Sequence, residues 1–244
     1  LADRVAALRD PAVRAALLAD DEIDLGPLGE LVLKATERMF IVDGELDYEP
    51  HPSTSVAALA ARLSTSPRAV VLDALLRDDG RGLLYRPLFN YADGDLELLR
   101  ELHLSDDTVM GLSDAGAHCG AICDGGMPTF MLAHWCRDRR RGERLPLERV
   151  VHRQTQDTAR LFGLYDRGVV AAGYRADVNV IDFDRLGFTT PRVVRDLPAG
   201  GRRLLQDARG YVATVCAGVV TVEEDRFTGA LPGRLVRGPQ RIVT

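Results

Sequence analysis

The sequence predicts an α/β protein with a β-rich C-terminal portion. Three observations carry this. Helical segments opened by proline and closed by glycine recur through the first 165 residues. A strand, a glycine-rich turn and a helix follow one another between Thr108 and Gly142. After about Asp166 the chain turns to valine-rich segments that alternate in places and are broken by hairpin-type turns.

In chain order, "LADRVAALRDPAVRAALLAD" has apolar residues at helical spacing, among them Val5, Leu8, Val13 and Leu17, and Pro11 divides it into two short helices. Ser53 is expected to cap a helix through Leu63, and Ser66-Pro67 to open another through Arg77. Residues Gly82 to Tyr91 read as a short strand leaving into a loop, Asp95 to His103 as a helix, and Thr108 to Ser113 as a strand. Pro128 opens a helix expected to reach Gly142. Pro146 opens one ending at Gly163, with Leu147, Val150, Val151, Thr158, Leu161 and Phe162 on one apolar face. Beyond Asp166, Ala217-Gly218 and Glu224-Asp225 interrupt the valine runs as hairpin turns. The expected division is 1–165 for the α/β portion and 166–244 for the β-rich portion.

With 244 residues, 46% of them hydrophobic, the chain has enough apolar surface for a substantial core. A net charge of −5 gives no general attraction to nucleic acid or to an anionic membrane. The basic run from Arg137 to Arg141 reads as a solvated helix end. No apolar stretch approaches the ~20 residues of a membrane span, and none reads as a signal peptide. The four cysteines, Cys119, Cys123, Cys136 and Cys216, are too sparse for a disulfide scaffold, so a reducing, cytoplasmic setting is expected. The first residue is leucine, which fits a processed or truncated piece.

The chemistry-bearing stretch is "TVMGLSDAGAHCGAICDGGMPTF", Thr108 to Phe130. Catalytic groups of a (β/α) barrel sit at the C-terminal ends of its strands, and Asp114 occupies such a position. A carboxylate there can hold a metal or accept a proton; it can equally cap the loop by bonding backbone amides. Ser113 is a poor nucleophile candidate, because Ala115 stands where a G-x-S-x-G elbow needs glycine. No G-x-G-x-x-G and no H-E-x-x-H occurs. His118, Cys119, Cys123, His134 and Cys136 form a rival cluster, four of which could hold a structural zinc, although the C-x₃-C spacing is loose. Cysteines as small buried hydrophobes, and His134 with Trp135 as helix packing, are the plainer reading. His51, His103 and His152 read as loop or surface residues.

"GLSDAGAH", "MPTFMLAHW", "TARLFGLYDRGVVAAGYRADVNVID" and "GVVTVEEDRFTGALPGRLVRG", together with "LRDPAVRAALL" and "LLYRPLFNY", resemble the C-terminal half of an amidohydrolase-superfamily enzyme. The branch they look most like is that of the D-aminoacylases, the N-acyl-D-amino-acid deacylases. The resemblance implies a metal-dependent (β/α)₈ barrel and a small β-sandwich built from both ends of the chain. On it, 1–165 is the C-terminal portion of the barrel and 166–244 the β-rich part of the sandwich. It implies zinc as cofactor and a small-molecule amide as substrate. Asp114 would be a metal-site residue and the general base that takes a proton from a zinc-bound water and hands it to the leaving nitrogen. His118 would contact substrate or transition state, and Ser113 would orient the site. Tyr85, Arg86 and Asn90 are candidates for gripping the substrate, with surface or packing roles as their plainer reading.

One departure from the family pattern is large. The family's H-x-H metal pair is absent from this sequence, and nothing before Gly82 reads as a strand carrying a ligand. The expectation is therefore a C-terminal fragment, inactive alone, whose partner is the missing N-terminal half, with self-association if it stands by itself. The alternative is a non-catalytic interaction or structural-zinc domain with an amidohydrolase-like outline.

Overall fold

The computed structural model describes residues 1–20, 26–29, 35–111, 113, 116 and 118–243. The chain forms two compact units, Leu1–Leu99 and Arg100–Thr244. The change of character near residue 166 lies inside the second.

In the first unit, Pro11 does divide the opening segment, into helices Ala2–Arg9 and Pro11–Ala19. The Asp10 carboxylate between them accepts the Ala12 and Val13 N–H groups at 2.9 and 3.1 Å, so proline stands where no N–H is needed. Val5 packs with Leu72 and Leu76, and Arg14 clamps Asp73 with two bonds of 2.6 and 3.0 Å. A second core gathers Met39, Val56, Ala60 and Val70. The helix Val56–Leu63 is capped by Ser55, not Ser53: Ser55 Oγ accepts the Ala58 N–H at 3.2 Å. Ser53 is spent in the preceding 3₁₀ turn, where its N–H reaches His51 Nδ1. Ser66 caps Pro67–Leu75, which ends short of Arg77 because Asp78 and Asp79 adopt left-handed backbone (φ 46° and 55°). Strands β1 (Phe40–Ile41) and β2 (Leu84–Tyr85) pair antiparallel. Gly82 before β2 must be glycine, since a Cβ would stand 1.8 Å from the Ala74 carbonyl oxygen.

In the second unit, the helix opened by Pro128 runs from Met127 to Asp138, its later part in the wider π form. It stops before Gly142 because Arg139 turns to an extended conformation. The Arg139 guanidinium is buried 4.5 Å over the Trp135 ring and donates to the Glu143 and Arg141 carbonyls. The helix after Pro146 spans Leu147 to Leu161 with a π stretch at Arg153–Asp157, and Gly163 follows in left-handed conformation. The described residues of 108–113 form no strand, because no neighbouring strand offers them a ladder.

The β elements are β3 (Val178–Ile181), β4 (Gly187–Phe188), β5 (Arg192–Leu197), β6 (Gly201–Leu205), β7 (Ala208–Arg209), β8 (Tyr211–Cys216), β9 (Val219–Glu223) and β10 (Arg226–Phe227). One sheet has the order β10-β9-β8-β3; β5 with β6 and β4 with β7 make two-stranded ribbons. Both hairpin turns read from the sequence are present: Ala217-Gly218 (φ 50° and 81°) and Glu224-Asp225 (φ 45° and 64°), each with positive φ at both central residues. All ladders among the described residues are antiparallel, so no closed barrel of parallel strands forms there. A barrel needs about eight mutually paired strands, and the described residues do not supply them. Central strand β8 is half-buried at all six positions, instead of alternating buried and exposed, so neither face of its sheet is fully covered.

Candidate functional site

Asp114, the residue on which the expected chemistry turns, lies outside the described residues. Its neighbours Ser113 and His118 are described. Ser113 Oγ donates to the Asp124 carbonyl oxygen at 2.5 Å, tying the start of the glycine-rich loop to its far end. His118 is exposed and holds left-handed backbone, φ 51°. Its carbonyl accepts the Ala121 and Ile122 N–H groups at 2.8 and 3.0 Å, which closes a tight turn.

Two arginines that sequence reasoning missed fix the approach to this loop. Arg153, 3% exposed, donates through Nη1 to the Thr108 carbonyl and through Nη2 to the Ser105 carbonyl. Arg149 Nη2 reaches the Leu104 carbonyl at 3.0 Å and Asp106 Oδ1 at 2.6 Å. Asp106 is thereby held below the usual carboxylate range. The loop before Thr108 thus takes its hydrogen bonds from a helix more than forty residues away, a relation with no local signature. His103 belongs to the same neighbourhood and is not a surface residue: its ring meets Trp135 edge-on at 5.6 Å. Burial pushes its pKa down, and the charge of Arg153 adds to the effect.

The rival cysteine–histidine cluster does not assemble. Its five members are all described, yet among the described residues no three His, Cys, Asp or Glu side chains gather as a metal site. His134 stacks flat on Phe130 (4.6 Å, 9°), and Cys136 Sγ turns to the Met131 carbonyl. Burial raises the Cys136 pKa to about 11 and raises that of Cys123 as well. In the first unit, Arg86 Nη1 is engaged by the Ala35 carbonyl at 2.6 Å, and Tyr85 Oη by that of Tyr48 at 3.4 Å; Asn90 has left-handed backbone, φ 59°.

The Gly-Tyr-Arg-Ala-Asp run acts as a latch. Arg175 Nε and the Ala217 N–H both donate to Asp177 Oδ1, at 2.9 and 2.7 Å, so the β8–β9 turn is fastened to the segment entering β3. Burial works against the Asp177 charge, but these two bonds, with Arg167 3.5 Å away, outweigh it and hold the carboxyl below its ordinary range.

Two solved structures resemble the chain. One concerns the functional role of the binuclear metal centre in D-aminoacylase; it is 25% identical, with 79% of this chain and 36% of that chain covered and a TM-score of 0.39. The other, a D-aminoacylase mutant in complex with copper chloride, is 23% identical, with 93% and 44% covered and a TM-score of 0.40. The chain therefore spans less than half the length of either, and scores this low carry no weight for its fold. No curated protein matches the chain. The amidohydrolase family model matches residues 1–222, which takes in the Asp114 loop, the Arg149 and Arg153 clamp and the Asp177 latch, and by that match the chain belongs to the amidohydrolase family.

Proposed function

We propose that this chain is the C-terminal part of a metal-dependent hydrolase of amide bonds, of the N-acyl-D-amino-acid deacylase kind, and that it supplies the general base Asp114. The observation that carries this reading is the segment Gly111 to His118 inside the span matched by the family model. In it Asp114 takes a proton from the attacking water and returns it to the nitrogen as the C–N bond breaks, leaving a carboxylate and an amine. His118 contacts the substrate from its tight turn. Ser113 orients the base through the loop that its hydroxyl pins to Asp124.

Zinc is the metal this chemistry implies; bound, it would polarise the scissile carbonyl. The described residues do not fit it by themselves, since no three candidate ligands converge. Its remaining ligands would come from polypeptide other than the described residues of this chain. The partner we propose is the N-terminal half of the enzyme, with self-association in its absence. On this reading 1–165 completes the barrel and 166–244 the sandwich. The setting is the cytoplasm; among the described residues no helix is long and apolar enough to cross a membrane.

The test compares this chain with the longer natural polypeptide that contains it, on N-acetyl-D- and N-acetyl-L-amino acids, with bound metal quantified. We expect metal-dependent, D-selective hydrolysis by the longer polypeptide and none by the chain alone. Full activity and stoichiometric metal in the chain alone would contradict the divided site; no hydrolysis by either would favour an interaction domain without chemistry.

A further inference from the structure

The loop that follows the proposed base is held from both sides, and the second side belongs to the β-rich portion. Ribbon β5–β6 touches it at Cys119: the Leu204 N–H donates to the Cys119 carbonyl at 2.7 Å. Because Leu204 faces Val193 across the ribbon and spends its N–H outward, the pair is of the non-hydrogen-bonded kind. The loop backbone therefore meets the ribbon at its β6 edge through this bond. Just past β6, Gln206 Nε2 donates to the Thr189 carbonyl at 2.8 Å. Its Oε1 lies so near Gly126 that an added Cβ there would stand 2.7 Å from it. Phe188 of β4 meets Phe130, the last residue of the first turn after the loop, at 6.3 Å. Residues 188–206 thus meet the loop and its exit at three points, while Ser113 ties the start of the loop to its far end at Asp124.

We propose that the β5–β6 ribbon is the positioning element of the substrate loop, with Leu204 and Gln206 as positioning residues that set where the His118 imidazole stands. This rests on the reading of the loop as a substrate site for N-acyl-D-amino acids. It also gives the β-rich portion a part in substrate selection: a shift of the ribbon moves the turn at His118.

Three measurements test the proposal. In the wild-type chain, hydrogen exchange should find the Leu204 amide protected at least tenfold over that of Val193, whose N–H faces the open edge of the ribbon. Leu204→Pro removes the bond to Cys119 without removing a β5–β6 bond, and Gln206→Ala releases the Gly126 contact with little risk to folding. Alkylation mapped by mass spectrometry should be at least threefold faster at Cys119 in both variants, measured against Cys216 in the same molecule. In the active longer polypeptide, the same variants should raise KM more than they lower kcat. Equal exchange at Leu204 and Val193, or unchanged Cys119 alkylation in Gln206→Ala, would overturn the proposal. Neither of the first two readouts needs hydrolysis, so an inactive polypeptide with a protected Leu204 amide would sink the proposed function and leave only the ribbon's hold on the loop.

Discussion

Asp177 shows how a family motif can be structural. The bonds it accepts from Arg175 and the Ala217 N–H are stronger for the carboxylate than for the acid, so its folded pKa is depressed. A depressed carboxyl contributes stability that is complete above the unfolded pKa of ~3.9 and is lost as pH falls through the lower folded value. Asp177→Asn should therefore cost about 1 kcal/mol at pH 7, the charged bonds being discounted for partial exposure. The cost should shrink below about pH 4, as read by urea unfolding at both pH values. A penalty that grew in acid would show that the latch does not work through the charge. Trp135 is the corresponding case in the core: 1% exposed, beneath the Arg139 guanidinium. Trp135→Ala should cost about 3–5 kcal/mol in the same measurement.

Hairpins and helix starts were legible because their signals are local. Pro11, Ser66-Pro67 and Pro146 stand at the starts of the helices they announced, and Ala217-Gly218 and Glu224-Asp225 form the turns read from the sequence. Ser53 lost the cap to Ser55 because His51 engages it first, a competition between neighbours that spacing does not show. No strand forms among the described residues of 108–113 for a different reason: a strand is completed by its partners, and a period of two in the sequence does not provide them. The part of the candidate site that was legible is the loop sequence itself; Arg149, Arg153, Leu204 and Gln206 act across 40 or more positions and carry no motif. The turn at Glu224 also yields a prediction. A glutamate at φ 45° bears the strain of a β-carbon in left-handed backbone, so Glu224→Gly should stabilise the β9–β10 hairpin by about 0.5–1 kcal/mol in thermal or urea unfolding. Destabilisation there would mean that the Glu224 side chain contributes more than its backbone costs.

At the scale of the whole molecule, the proposed function has the half-covered sheet around β8 completed by further polypeptide. Sedimentation of the chain alone should show a concentration-dependent mass above 26.7 kDa, and a monomer at all concentrations would contradict self-association. The central claim, however, concerns one carboxylate. The measurement that tests it most directly is the hydrolysis rate of Asp114→Asn in the active longer polypeptide, at matched metal content and unchanged melting temperature. A missing general base predicts a fall in kcat of about 10²–10⁴. A variant that keeps its rate within twofold would remove Asp114 from the chemistry and leave it a loop cap.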